Sequence, residues 1–157
     1  MQSFDGLPTH VLAVHAPVVF MPLVLILSIV LAAKPDWRRR SGLLLAGAAG
    51  VAFVATVLAV LTGRAFDELI GDRVDTTDHE QLANTTMVIA GFLVVAAVAL
   101  YLIDRRWPSS RVSVVATAAV VVLALAGTWW MIMTGDEGAR LVWGNVIDAT
   151  QSLRSRE

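Results

Sequence analysis

The sequence predicts an all-α integral membrane protein, a four-helix bundle built from two helical hairpins. Two observations carry this expectation. Four long apolar runs, Val11–Ala33, Gly42–Thr62, Met87–Ile103 and Val112–Met133, follow one another with short charged breaks between them. Within these runs the ionisable side chains are His15 and the phenol of Tyr101, with no Asp, Glu, Lys or Arg. A hydrocarbon layer about 30 Å thick takes roughly 20 helical residues to cross, so each run has the length of a span. Lipid offers no partners to backbone amides, so such runs must be helical. Composition agrees: 57% of the 157 residues are hydrophobic and 16% charged, against about 25% charged in an average soluble domain.

The expected helices cover residues 9–33, 42–63, 78–103 and 112–134, with an outer-surface tail over 136–153, all in a single domain spanning 1–157. Helix 1 starts near Pro8, because proline suits a first turn whose amides lack helical partners. Pro17 and Pro22 remove two backbone donors, freeing the carbonyls of Ala13 and Val18, so the outer half of this helix should bend. Helix 2 opens with Gly42, Ala46 and Gly50 four residues apart, a small-residue face for close packing within the bundle. Helix 3 reaches beyond its apolar run. Thr77-Asp78-His79-Glu80 fits a capping box, with Thr77 as N-cap and Glu80 turning back to its amide. After helix 4, Leu141, Val142, Val146, Ile147 and Leu153 recur at near-helical spacing, which reads as an amphipathic segment lying across the outer surface. AFDELIGDRV after helix 2 suggests a shorter segment of the same kind.

The breaks set the orientation. Lys34, Arg38, Arg39 and Arg40 lie between helices 1 and 2, and Arg105, Arg106 and Arg111 between helices 3 and 4. The longer 2–3 loop holds Arg64 and Arg73 beside six acids. Basic residues beside spans stay cytoplasmic, so both termini should be extracytoplasmic in a multi-pass membrane protein. The arginine runs read as topology signals solvated among lipid headgroups. Trp37 and Trp107 mark the inner interface, and Trp129 and Trp130 the outer one. A net charge of −1 gives nucleic acid no basic face. Without cysteine there is no iron–sulfur ligation, covalent c-type haem or thiolate chemistry. Residues 1–10 contain no Lys or Arg, so a cleaved signal peptide is not expected.

The two halves resemble one another. Each reads as a histidine near the outer start, a helix, a Trp/Arg/Pro inner loop, a helix, and Thr-Gly (Thr62-Gly63 and Thr134-Gly135). That pattern suggests a repeated hairpin about an axis along the membrane normal.

All three histidines fall at the outer level. His10 and His15 are at the outer end of helix 1, and His79 is on the extension of helix 3, near Glu80 and Asp136. Neutral imidazoles backed by carboxylates are what zinc and copper sites use. His10, His15, His79, Glu80 and Asp136 are therefore the candidate metal ligands. His15 and His79 are the candidates for a bound cofactor such as haem b. Residues five apart point about 140° away from each other on a helix, so His10 and His15 converge only if the helix is interrupted between them. A histidine at a helix end also commonly just binds a loop carbonyl. No serine stands in a recognisable nucleophile turn, so no catalytic residue is assigned and an enzyme is not the favoured class.

His10-Val11-Leu12-Ala13-Val14-His15-Ala16-Pro17 resembles the H-P-x-x-V-H-F-P opening of bacterial membrane proteins grouped as domain of unknown function 2231. Thr62-Gly63, His79-Glu80 and Gly135 to Trp143 fall where that family has its later signatures, so the resemblance covers roughly residues 7–146. It implies a four-helix membrane protein without a settled activity. Some relatives are joined to cytochrome or Rieske domains, which implies redox surroundings. The family's further histidines would stand at Asp136 and Asn145, so its five-histidine cluster is cut to three here. Two functions follow: an outward-facing His/carboxylate site for Zn, Cu or haem b serving redox or metal handling, or an accessory subunit of a larger membrane complex without cofactor. Partners would be the bilayer, a membrane complex or a second copy.

Overall fold

A computed structural model of the chain describes residues 3–4, 7–70, 74–108 and 110–154. Asp72 and Arg73 of the long loop, and the side chains of Asn145, Ile147 and Leu153, lie outside the described residues. Two short strands, β1 (Ser3–Phe4) and β2 (Leu7–Pro8), pair antiparallel, with Phe4 opposite Leu7. The remaining elements are α1 (Thr9–Ala13), α2 (His15–Ala33), α3 (Pro35–Ile70), α4 (Thr77–Arg106) and α5 (Arg111–Arg154). Four stretches are long and apolar enough to cross a membrane: Thr9–Ala33, Pro35–Glu68, Thr77–Arg106 and Arg111–Gly144.

The spans stand where the apolar runs place them, but their ends differ from expectation. The first is interrupted at Val14, between α1 and α2. Pro17 has no amide to give the Ala13 carbonyl; Val14 N–H donates to His10 O at 3.0 Å, and Val18 N–H reaches Val14 O only at 3.4 Å. Pro22, by contrast, sits inside α2 without ending it. The basic loop expected after Ala33 is mostly helix, with Lys34 alone between α2 and α3. Pro35 occupies the first helical position and Asp36 the first turn, where a fixed φ and a negative charge favour a helix start.

Helix α4 begins at Thr77, so its outward extension past Met87 is real, but the capping box is not formed. Thr76 is the N-cap residue, and its Oγ1 donates to Asp67 Oδ1 at 2.6 Å. The Thr77 amide goes instead to Asp75 Oδ1 at 3.1 Å, and Glu80 faces Arg64. Bonds from the Thr77 hydroxyl and amide hold the Asp75 carboxyl below its ordinary range. The expected surface segments are continuations of helices: α3 runs on to Ile70, and α5 is 44 residues long, about 66 Å at 1.5 Å per residue. Gly135, Gly138 and Gly144 do not end α5; each costs helix propensity, yet every peptide there keeps helical bonding.

The four spans form a ring in which α2 and α4 each pack against both α3 and α5. Buried positions advance in steps of four and three: Pro17, Met21, Val24, Ser28 and Leu31 in α2; Thr86, Ala90, Leu93, Ala97, Leu100 and Asp104 in α4. A 3.5-residue period of this kind belongs to left-handed helix packing. Large apolar side chains such as Val19, Ile26, Leu44, Val54, Phe92, Val95, Val115 and Leu125 point outward at more than half exposure. Bilayer hydrocarbon is the medium that solvates such a belt. The small-residue face of α3 is turned from expectation. Gly42 lies against Tyr101 and Ala46 is buried, but Gly50 has nothing near it, and the packed stripe continues through Ala49, Ala52, Thr56 and Ala59.

The hairpins repeat one pattern. Every buried α2 position has a buried α4 counterpart at one constant offset, the offset that separates His10 from His79. In α3 and α5 the buried Arg38, Leu45, Ala49, Thr56 and Ala59 match Ser113, Val120, Ala124, Met131 and Thr134, again at one offset. The alignment of Thr62-Gly63 with Thr134-Gly135 is three residues out of register: Ala59 corresponds to Thr134, and Gly63 to Gly138.

At the inner end the arginines are not all solvated. Arg38 is 5% exposed; its Nε donates to Asp104 Oδ2 at 2.7 Å and its Nη2 to Ser113 Oγ at 2.8 Å, while Ser113 Oγ donates to Asp104 Oδ1. This cluster ties α3 of the first hairpin to α4 and α5 of the second.

Candidate functional site

The end of the ring that holds the histidines forms a cavity of about 510 Å³, within the ~300–1,000 Å³ typical of ligand pockets. Its lining is largely apolar and includes Val14, Val18, Val60, Ala83 and Met131, with Arg64, Asp67, Thr76 and Glu80 also part of it. His10, His15 and His79 all line it.

His10 and His79 are brought together from different hairpins. Their ring centroids are 6.3 Å apart with planes at 85°, and the Phe66 ring stands nearly parallel to that of His10 with centroids 6.2 Å apart. His10 Nδ1 lies 3.1 Å from Ala59 O and His79 Nδ1 3.1 Å from Thr134 O. A carbonyl can only accept, so each Nδ1 carries the proton. In the neutral ring each Nε2 then holds a free lone pair, the form in which imidazole binds metals. Neither Nε2 has a hydrogen-bond partner among the described residues. Thr134 is itself steadied: its Oγ1 donates to Trp130 O at 2.8 Å and meets Thr86 Oγ1 at 3.2 Å.

His15 differs. It is exposed, and its Nδ1 bonds Val11 O, one turn back in its own segment, at 2.7 Å. The interruption at Val14 carries the chain between the two α1–α2 histidines, but only His10 turns toward His79. Glu80 lines the cavity while exposed and paired with Arg64 at 3.3 Å. Asp136 is outside the lining, exposed, and paired with Arg140 at 2.9 Å. Among the described residues no group of three or more His, Asp or Glu lies close enough to hold an ion.

A family model described as "Predicted membrane protein (DUF2231)" matches residues 6–151. The chain belongs to this family. No curated protein and no solved structure matches the DUF2231 chain. The family description states membrane location, so contact with a lipid bilayer follows, and it assigns no ligand.

Sequence reading selected the histidines of this DUF2231 protein but missed what holds them. Ala59, Gly63, Thr134 and Gly138 carry no chemistry in their side chains that would mark them; they matter through carbonyls and empty space. The signal that could have found them was the repeat, read at its correct offset.

Proposed function

We propose that the outer cavity binds a redox-active metal centre between His10 and His79, with haem b as the group that suits it best. The carrying observation is the pair of imidazoles, each with Nδ1–H bound to a carbonyl and Nε2 free. The two rings are close, with centroids 6.3 Å apart, so His10 and His79 would be the residues that hold such a group through Nε2. Zinc takes three or four protein ligands, and among the described residues two imidazoles with unbonded Nε2 lie near each other on this cavity. Of the carboxylates that line the cavity, Glu80 is paired with Arg64 and Asp67 accepts from Thr76, so neither stands free to serve a bare divalent ion. A macrocycle would bring most of its own ligands and charge, so His10 and His79 would be enough to hold it.

When bound, such a group supplies one-electron transfer. The chain's own part is to orient the imidazoles through Ala59 O and Thr134 O, and to surround the centre with apolar side chains that exclude water. Basic inner connections favour both termini and the cavity on the extracytoplasmic face of a bacterial plasma membrane.

The test is an absorbance spectrum with elemental analysis of protein extracted from its native membrane. The expectation is a haem band and about one iron per chain, retained in His15→Ala and lost in the double variant His10→Ala with His79→Ala. Stoichiometric zinc or copper without a haem band would replace the macrocycle with a bare ion. Colourless, metal-free protein of normal stability would overturn the reading.

A further inference from the structure

We infer that Gly63 and Gly138 are positioning residues: each keeps open the seat of one imidazole, and the two seats together set how the paired Nε2 atoms meet a ligand. This rests on the reading of the cavity as a two-imidazole site. A Cβ on Gly63 would stand 3.1 Å from His10 Cε1 and 3.3 Å from its Nδ1. On Gly138 it would stand 3.0 Å from His79 Cε1 and 3.3 Å from its Nδ1. Carbon–carbon contacts are optimal at about 3.5–4.0 Å, so a methyl at either place crowds the ring. The ring cannot simply retreat. Its Nδ1–H is bound to the carbonyl one turn earlier in the same helix, Ala59 for Gly63 and Thr134 for Gly138.

Backbone geometry gives no reason for glycine at these positions. Both lie inside helices with ordinary negative φ, where any residue but proline is a better helix former. Other described glycines in the helices face either open space, as Gly135 does, or apolar side chains, as Gly127 faces Met21. Among the described glycines, only the two equivalent positions of the repeat face imidazoles. The same arrangement of carbonyl, ring and absent side chain thus occurs twice, in helices that share no local sequence at that point.

The experiment uses the full chain in detergent with ¹⁵N-labelled histidine. Wild type should show His10 and His79 as Nδ1–H tautomers. Gly63→Ala should move only the His10 signals and Gly138→Ala only those of His79, while Gly135→Ala moves neither. Helical content by circular dichroism should stay at the wild-type level. In haem titrations each seat variant should convert a two-imidazole spectrum to a one-imidazole spectrum and weaken uptake by about 10- to 100-fold, as disturbing the support of a metal ligand does. Unmoved imidazole signals in both seat variants would overturn the inference whether or not haem binds. Should one variant unfold, the other reads its own seat independently by the same signals. Seats that respond as expected in a wild type that takes up no haem support the inference and overturn the haem reading alone.

Discussion

Arg38 and Asp104 form an ion pair, Nε to Oδ2 at 2.7 Å, with both side chains almost wholly shielded at the inner end of the ring. The pair joins the two hairpins far from the histidine cavity, and Ser113 completes it. Buried ions are costly to desolvate, so the pair favours one arrangement of the helices more than it adds stability. Removing one partner strands the other charge. Asp104→Ala and Arg38→Ala should each destabilise by about 3–5 kcal/mol, read as a lower midpoint of unfolding in mixed detergent. The triple replacement Arg38→Met, Asp104→Leu and Ser113→Ala should be milder than either. A triple variant as unstable as Asp104→Ala would count against an electrostatic origin.

The three histidines should separate into two classes. His10→Ala and His79→Ala each remove a half-buried ring between helices and leave a carbonyl, Ala59 O or Thr134 O, without its donor. A lost hydrogen bond to a part-buried group costs about 1–3 kcal/mol. His15→Ala frees only an exposed bond to Val11 O and should change stability by no more than about 0.5 kcal/mol. Equal effects at all three positions would contradict the arrangement.

Asp75 makes the first turn of α4 pH-dependent. Its folded pKa is lowered by the Thr77 hydroxyl and amide. The cap's contribution is therefore complete above the unfolded carboxyl value of about 3.9 and is lost as pH falls through the lower folded value. Amide exchange at Thr77–Glu80 should be flat from neutral pH down to about pH 5 once intrinsic exchange is corrected, with protection failing only in stronger acid. Asp75→Ala should expose these amides at every pH and loosen His79, which lies in that turn.

Orientation can be read directly, because the chain has no cysteine of its own. Single cysteines at the exposed Val142 and Trp107 lie near opposite ends of α5 and α4. An impermeant maleimide added to intact cells should label Val142→Cys at once and Trp107→Cys only after permeabilisation. The reverse pattern would place the cavity on the cytoplasmic side.

The spans were legible because lipid imposes a single requirement, an unbroken apolar length, which any ordering of Val, Leu and Ala can meet. Helix ends were less so. Lys34-Pro35-Asp36 carries loop-forming residues, yet proline and aspartate at a first turn favour a helix equally well. The tail after Thr134 holds three glycines, and the continuing i to i+4 bonds of α5 outweigh their propensity. Arg38 read as one of a basic run, since nothing local distinguishes it from Arg39 and Arg40; burial comes from Asp104 and Ser113, distant in sequence. His10 and His79 stood out as rare residues, but their convergence depends on how two hairpins dock, which no single segment encodes.

The connection from α2 to α3 is Lys34 alone, and it lies at the opposite end of the molecule from the cavity. Extra length there has no slack to disappear into. One inserted residue would slide α3 by about 1.5 Å and rotate it by about 100°, swinging the Ala59 carbonyl away from His10. The spacing at the Lys34 bend thus acts as a vernier for the hydrogen bond at the far rim, and length changes tolerated in most surface connections would be read out there as a displaced ring.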